Sequence, residues 1–146
     1  MTTDARSLGA GAAAGLVGGA LFGIMMTAMG MMEMVAGLVE SSSVAVGWLV
    51  HLVISAIFGA LFALALGRPT SSYGRGAGLG LAYGLAVWVL GPLLIMPLWM
   101  GMAPFVIEQP QLMSLMGHAV FGVAVGLAYR GLETGVLASG AEQVRT

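Results

Sequence analysis

The sequence contains no cysteine and no lysine, and only 8% of its 146 residues are charged. The missing cysteine excludes disulfides, thiolate metal ligands and cysteine nucleophiles, and the missing lysine excludes Schiff-base chemistry. A formal net charge of −1 gives no basic surface that would attract nucleic acid. The chain is instead 59% apolar and holds 24 glycines. This composition is typical of a membrane protein rather than a soluble domain.

Four long apolar runs predict four transmembrane helices, at about 8–33, 44–67, 76–100 and 111–131. A helix that spans a bilayer needs about 20 apolar residues, so four spans leave no room for a soluble catalytic domain. The predicted class is an all-α integral membrane four-helix bundle that is not an enzyme. Residues 132–146 are predicted to form a polar C-terminal tail.

The basic residues lie on one side of this predicted topology. Two of the connections carry only acidic residues, Glu40 and Glu108, whereas the arginines fall in the N-terminus, the middle connection and the C-terminal stretch: Arg6, Arg68, Arg75, Arg130 and Arg145. Because positively charged flanks are retained in the cytoplasm, both termini are predicted to be cytoplasmic. We expect the protein in a prokaryotic cytoplasmic (inner) membrane.

The first apolar run is longer than one bilayer crossing. Residues 8–39 as a continuous helix would measure roughly 48 Å, against a hydrocarbon core of about 30 Å. A break near Gly30 or Gly37, followed by a turn along the interface, would resolve the excess.

Two short strings recur along the chain. IMMTAMGM at residues 24–31 returns as IMPLWMGM at 95–102, and SAIFG at 55–59 aligns with HAVFG at 118–122. These matches predict a tandem duplication of a helical hairpin, with repeats at 1–67 and 76–131. Both copies start on the same side of the membrane, so the repeat is parallel.

Glycines at four-residue intervals mark one face of most of the predicted helices. Lipid tails give helices no hydrophobic reason to associate, so close backbone contact through small residues takes over that role. The glycines expected at helix contacts are Gly11, Gly15, Gly19, Gly23, Gly76, Gly80, Gly84, Gly122 and Gly126.

The second to fourth helices carry short motifs that resemble the YagU-like family of bacterial inner-membrane proteins. These motifs are HLVIS at 51–55 with Phe58, PLWMG at 97–101 with Pro104, and Gly117 with His118. The family is itself uncharacterised. The resemblance therefore implies a helical inner-membrane protein and transfers no reaction.

Two histidines fall inside the predicted spans. The repeat alignment sets His51 opposite Ser114 and Ser55 opposite His118 at similar depths, which predicts two hydrogen bonds between the second and fourth helices. Such bonds typically contribute about 0.6 to 2 kcal/mol each inside a membrane. Alternatively, His51 and His118 are the axial ligands of a b-type haem.

Methionines offer a different ligand chemistry, on the outer side of the membrane, away from the arginines. Thioether sulfur suits Cu(I), and the pairs Met25–Met29 and Met96–Met100 each lie one turn apart. They define a candidate copper site, although methionine is also a common filler of apolar interiors. Glu33 lies in the same region and is a candidate proton or ion site, or an interfacial residue that water reaches.

The sequence thus leaves two functional classes open. The first is a non-enzymatic accessory or structural protein without a cofactor, packed in a larger membrane complex or as a homo-oligomer. The second is a ligand-handling membrane protein that binds or transports copper or binds haem b. In either class the partner common to all four helices is the lipid bilayer.

Overall fold

The computed structural model describes residues 5–67 and 72–143, with side chains up to residue 134. The elements in chain order are α1 (Ala5–Ala28), α2 (Met32–Ala36), a 3₁₀ turn (Gly37–Val39), α3 (Val44–Leu66), α4 (Tyr73–Leu90), a π-helical segment (Gly91–Ile95), α5 (Met96–Trp99) and α6 (Gln109–Gln143). Four helical stretches are long and apolar enough to cross a membrane: Ala5–Ala28, Val44–Leu66, Tyr73–Trp99 and Gln109–Thr134. The predicted all-α four-helix class is confirmed.

The break after the first helix is also confirmed. Gly30 has a φ of 69°, in the left-handed region that favours glycine. The amide of Gly30 donates to the carbonyl of Thr27 at 3.1 Å, and that of Met31 donates to Met26 at 2.9 Å. This pair of bonds is a Schellman motif, which satisfies the last carbonyls of α1. The chain then continues as the short helix α2, so the apolar excess of the first run does not lengthen the span.

The same motif ends the third span. Gly101 has a φ of 71°. Its amide donates to Leu98 at 3.2 Å, and the amide of Met102 donates to Pro97 at 2.8 Å. The recurring strings at 24–31 and 95–102 therefore both contain a helix stop of the same geometry.

α1 and α3 pack antiparallel through backbone contact at small residues. A Cβ added to Gly59 of α3 would lie 2.2 Å from the carbonyl oxygen of Gly11 and 2.5 Å from the Cα of Gly15. One added to Gly15 would lie 2.2 Å from the carbonyl oxygen of Ser55. No side chain larger than hydrogen fits at this crossing, which lets the two backbones touch.

α4 and α6 repeat that crossing. A Cβ on Gly122 of α6 would lie 2.1 Å from the carbonyl oxygen of Gly80 and 2.8 Å from the Cα of Gly84. A Cβ on Gly84 would lie 2.2 Å from the carbonyl oxygen of His118. Gly122 therefore occupies the place of Gly59, and His118 the place of Ser55. The equivalence agrees with the alignment of 55–59 with 118–122, while the tandem duplication itself stays a prediction.

α1 joins the two pairs because it packs on α6 as well as on α3. Gly18 meets Val125 of α6, and Gly117 of α6 gives room to the ring of Phe22. α3 makes few contacts with α4 or α6. The helices thus lie in the order α3, α1, α6, α4. We call the end with α2 and α5 the distal end and the opposite one the proximal end.

The fourth helix is longer than the sequence indicated. A helix end near residue 131 is wrong, because α6 continues to Gln143 through much of the predicted tail; residues 144–146 lie outside the described part of the chain. The change from apolar to polar composition marks the end of the span rather than of the helix. Alanine, leucine, glutamate and glutamine in this stretch are good helix formers in water.

We predict that Gly122→Ala destabilises the bundle. The new methyl group would lie 2.1 Å from the carbonyl oxygen of Gly80, so α4 and α6 must separate. We expect the free energy of unfolding to fall by roughly 1–3 kcal/mol. Reversible unfolding in mixed micelles, followed by far-UV circular dichroism, measures this change.

The matched control is Gly78→Ala on α4, where an added Cβ meets nothing within 4 Å. This substitution should not lower the free energy of unfolding. An equal loss in both variants would contradict packing through Gly122.

Candidate functional site

A cavity of about 450 Å³ lies at the distal end of the bundle. α1 and α6 form its floor, α3 forms one wall, and the π segment with α5 forms the other. It exists because α3 and α4 pack on different partners and barely contact each other. The cavity is only partly enclosed, and residues of α3 and of the third span line its two sides.

Two hydrogen bonds hold the walls of the cavity together. The Tyr83 hydroxyl of α4 donates to the carbonyl of Phe58 in α3 at 2.6 Å. Toward the distal surface, the indole N–H of Trp99 donates to the carbonyl of Leu38 in the 3₁₀ turn at 3.2 Å.

His51 is buried in the wall formed by α3, with 7% of its surface exposed. Its Nε2 lies 2.9 Å from the carbonyl oxygen of Gly19 in α1. Since a carbonyl only accepts, Nε2 carries the proton and donates. Close approach to α1 requires Gly19, because a Cβ there would lie 2.4 Å from the Oγ of Ser55. That hydroxyl donates to the carbonyl of His51 at 2.7 Å.

His118 lies in the floor, on α6. Its Nδ1 donates to the carbonyl of Ser114, one turn earlier in the same helix, at 2.8 Å. The Oγ of Ser114 is buried and forms no hydrogen bond. A buried polar group without a partner is uncommon in proteins, which makes this hydroxyl a feature to explain.

The two predicted hydrogen bonds between helices are therefore wrong. His51 bonds to Gly19 rather than to Ser114, and Ser55 bonds to the backbone of its own helix rather than to His118. The reason is the order of the helices. α1 lies between α3 and α6, so the polar groups that the alignment set opposite each other do not meet.

Phe22 of α1 contacts both histidine rings. Its ring centroid lies 5.4 Å from that of His51 and 4.8 Å from that of His118, edge-on in both cases. A haem with two axial histidines needs its macrocycle between the imidazoles. Phe22 would have to leave its place for that arrangement, so the haem interpretation finds no support in the geometry.

Only one of the four predicted copper ligands, Met96, lines the cavity. Met25 and Met29 are half-buried elsewhere, and Met100 is exposed beside the 3₁₀ turn. The methionines that share the cavity with Met96 are Met26, Met31, Met34 and Met102. Among the described residues, no group of three or more histidine or acidic side chains is placed to hold a metal.

Glu33 lies on α2 with an exposed side chain, outside the cavity. A hydrogen bond that a proline removes from the third span is replaced by the connection that follows it. Pro97 cannot donate to Leu93, and the amide of Phe105 donates to that carbonyl instead, at 2.7 Å. The connection after α5 thus folds back onto the third span and supplies the N–H donor that Pro97 lacks.

The sequence did not indicate the roles of Phe22, Tyr83 and Trp99. Phe22 stands within the glycine face of α1, between Gly19 and Gly23, and this position was the one available signal for its contacts. The bonds from Tyr83 and Trp99 end on carbonyls of distant segments, which no residue pattern marks.

Comparison with family models, with curated proteins and with solved structures finds no match to this chain. The class defined by the fold is an integral membrane protein built as a helical bundle with four candidate spans. The resemblance of its second to fourth helices to YagU-like proteins stays a prediction.

The two histidines should contribute differently to stability. His51→Ala removes a hydrogen bond between α3 and α1 and should lower the free energy of unfolding by about 0.6–2 kcal/mol. His118→Ala removes a bond within α6 and should cost less. Unfolding titrations of both variants in mixed micelles compare the two losses. A larger loss in His118→Ala would contradict the assignment of His51 as the interhelical contact.

Proposed function

We propose that this protein binds a small, mainly apolar molecule in the distal cavity and receives it from the surrounding lipid. The observation that carries the proposal is the cavity itself, a partly enclosed apolar space between α3 and the third span, lined also by two histidines and two serines. Sites for small molecules have volumes of about 300–1,000 Å³ and combine apolar walls with a few polar groups.

Lateral access supports a ligand that partitions into lipid. Residues such as Ile95 and Trp99 line the cavity and are also exposed at the surface of the bundle. A ligand dissolved in the bilayer would enter between α3 and α4 without crossing a polar region.

The proposal concerns binding rather than catalysis. The ring N–H groups of His51 and His118 are engaged by backbone carbonyls. Glu33, the acid closest to the cavity in the chain, is exposed outside it. Among the described side chains, neither histidine has an acidic partner that would support general acid–base work.

Copper is a second candidate occupant, favoured by the hydrogen bonds of the histidines. An imidazole that ligates a metal usually donates its other N–H to a carbonyl or carboxylate, as His51 and His118 both do. The thioether of Met96 shares the cavity. Native mass spectrometry distinguishes the two occupants by the mass that stays bound.

The accessory role in a larger complex remains a hypothesis. Exposed apolar side chains, such as Leu49 and Ile57 on α3, are expected both for lipid contact and for contact with a partner. They do not favour either one.

We also propose that the proximal end faces the cytoplasm of a prokaryotic cell and that the protein lies in its inner membrane. The described arginines at that end, Arg6, Arg75 and Arg130, support this orientation. Arg68 and Arg145 lie outside the described residues.

We further infer that the chain is a tandem duplication. The equivalent crossings at Gly59 and Gly122, and the two matching helix stops, support this history. The crossing residue and the helix stop are Gly15 and Gly30 in the first copy, and Gly84 and Gly101 in the second. The second copy has two more residues between these points, and this stretch contains the π segment. A π segment holds more residues per turn than an α-helix and accommodates such an insertion.

Filling the cavity should remove the ligand. Ile54 lines the cavity, so Ile54→Trp should abolish retention of the small molecule that co-purifies with the unsubstituted protein. Organic extraction of the gently purified protein, followed by mass spectrometry, measures the retained molecule.

Ile57→Trp is the matched control, because Ile57 lies on the same helix with 53% of its surface exposed. It should retain the ligand in full. Loss in both variants, or an unsubstituted protein that retains neither an organic molecule nor a metal, would overturn the proposal.

The absence of native cysteine allows a clean test of orientation. We predict that Ser42→Cys, in the exposed connection between the 3₁₀ turn and α3, reacts with a membrane-impermeant maleimide in intact cells. Ser72→Cys, exposed before α4, should react only after permeabilisation. The reverse pattern would place the arginine-bearing end outside the cell.

A further inference from the structure

The floor of the cavity presents two polar groups one helical turn apart on α6. His118 and Ser114 both line the cavity. Residues four apart lie on the same face of a helix, so one small polar group of a ligand can approach both. The hydrogen-bonding capacity left on each of them defines what that group must be.

His118 presents an acceptor. Its Nδ1 donates to the carbonyl of Ser114 at 2.8 Å, and a carbonyl has no proton to give. The ring is neutral, because a charged imidazolium without an acidic partner is costly in an apolar cavity. A neutral ring with its proton on Nδ1 carries a lone pair on Nε2, and no described group bonds to that nitrogen.

Ser114 presents a donor. A serine within a helix commonly donates to the carbonyl four residues earlier, as Ser55 does to His51 at 2.7 Å. The Oγ of Ser114 makes no such bond, although only 6% of the residue is exposed. The oxygen itself has almost no accessible surface, so a ligand group reaches it only after the side chain rotates about its Cα–Cβ bond. A group that then accepts from this hydroxyl would satisfy it.

We propose that the ligand of the cavity carries a hydroxyl group, as an alcohol or phenol on an apolar body; this inference rests on the proposed function. The hydroxyl donates to Nε2 of His118 and accepts from Oγ of Ser114. A hydroxyl is at once a donor and an acceptor, so one group satisfies both sites.

Other polar groups fit these sites less well. Ketones, esters and ethers only accept, which leaves the lone pair of His118 facing oxygen. A carboxylate would bring an uncompensated charge into the cavity, since the described arginines lie at the proximal end. The hydrogen-bond pattern thus selects within the broad class of lipid-soluble molecules.

The test compares 4-decylphenol with 4-decylanisole, which share an apolar body and differ by a methyl group on the oxygen. Binding to the full-length protein in lipid nanodiscs is followed through its tryptophan fluorescence. We expect the phenol to bind roughly 3- to 10-fold more tightly, the value of about one net hydrogen bond, because only the phenol donates to His118. In His118→Phe the phenol should fall to the affinity of the anisole, while the anisole keeps its own.

Ser114→Ala separates ligand recognition from structure. Its hydroxyl bonds to no described residue, so the free energy of unfolding should not fall. Both probes should nevertheless bind more weakly, because either oxygen accepts from Ser114, while the preference for phenol, which depends on His118, should persist. A clear loss of stability with unchanged affinities for both probes would assign Ser114 a structural role and overturn this part of the inference.

The outcomes also separate this inference from the proposal beneath it. Equal affinity for phenol and anisole in the unsubstituted protein would overturn the hydroxyl requirement and leave the cavity as a binding site. Binding of neither probe, together with no effect of Ile54→Trp on retained molecules, would overturn both.

Discussion

Backbone contact at Gly59 and Gly122 is the constraint on which the rest of the structure depends. Inside a bilayer, apolar side chains gain nothing by leaving lipid for protein, so helices associate through close packing and hydrogen bonds. At both crossings an added methyl group would lie within 2.2 Å of a carbonyl oxygen on the facing helix. α1 is thereby tied to α3, and α4 to α6. The remaining contact, between α1 and α6, joins the two pairs.

The cavity follows from that pairing. Because α3 and α4 each use their glycine face on a different partner, neither has a face that fits closely against the other. The cavity lies at the distal end, where the π segment and the prolines of the third span interrupt the regular α-helix. The polar groups of the cavity then serve two purposes. The ring N–H of His51 donates to α1 and holds α3 against it. His118 keeps a ring nitrogen that can accept a hydrogen bond, and Ser114 keeps a hydroxyl that can donate one, and no described residue bonds to either.

The fold was largely predictable from the sequence, and the site was not. Apolar length predicted the four spans, Gly30 predicted the break after α1, and the four-residue glycine spacing lies at the observed crossings. These signals are local, because each depends on a run or a spacing within one helix. The partner of His51 depends instead on which helix lies beside α3, and an alignment of two repeats carries no information about that order. For the same reason the four copper ligands were predicted from methionine spacing alone, and of these four only Met96 lines the cavity.

The most direct test of this account is an experimental structure of the unsubstituted protein, crystallised from a lipidic phase after mild extraction. The account predicts elongated non-protein density between α3 and α4, with its polar end against His118 and its apolar body reaching the lipid. It also predicts that the ring of Phe22 contacts the rings of both His51 and His118. A structure in which α3 packs directly against α4, with the distal cavity closed by their side chains, would contradict it.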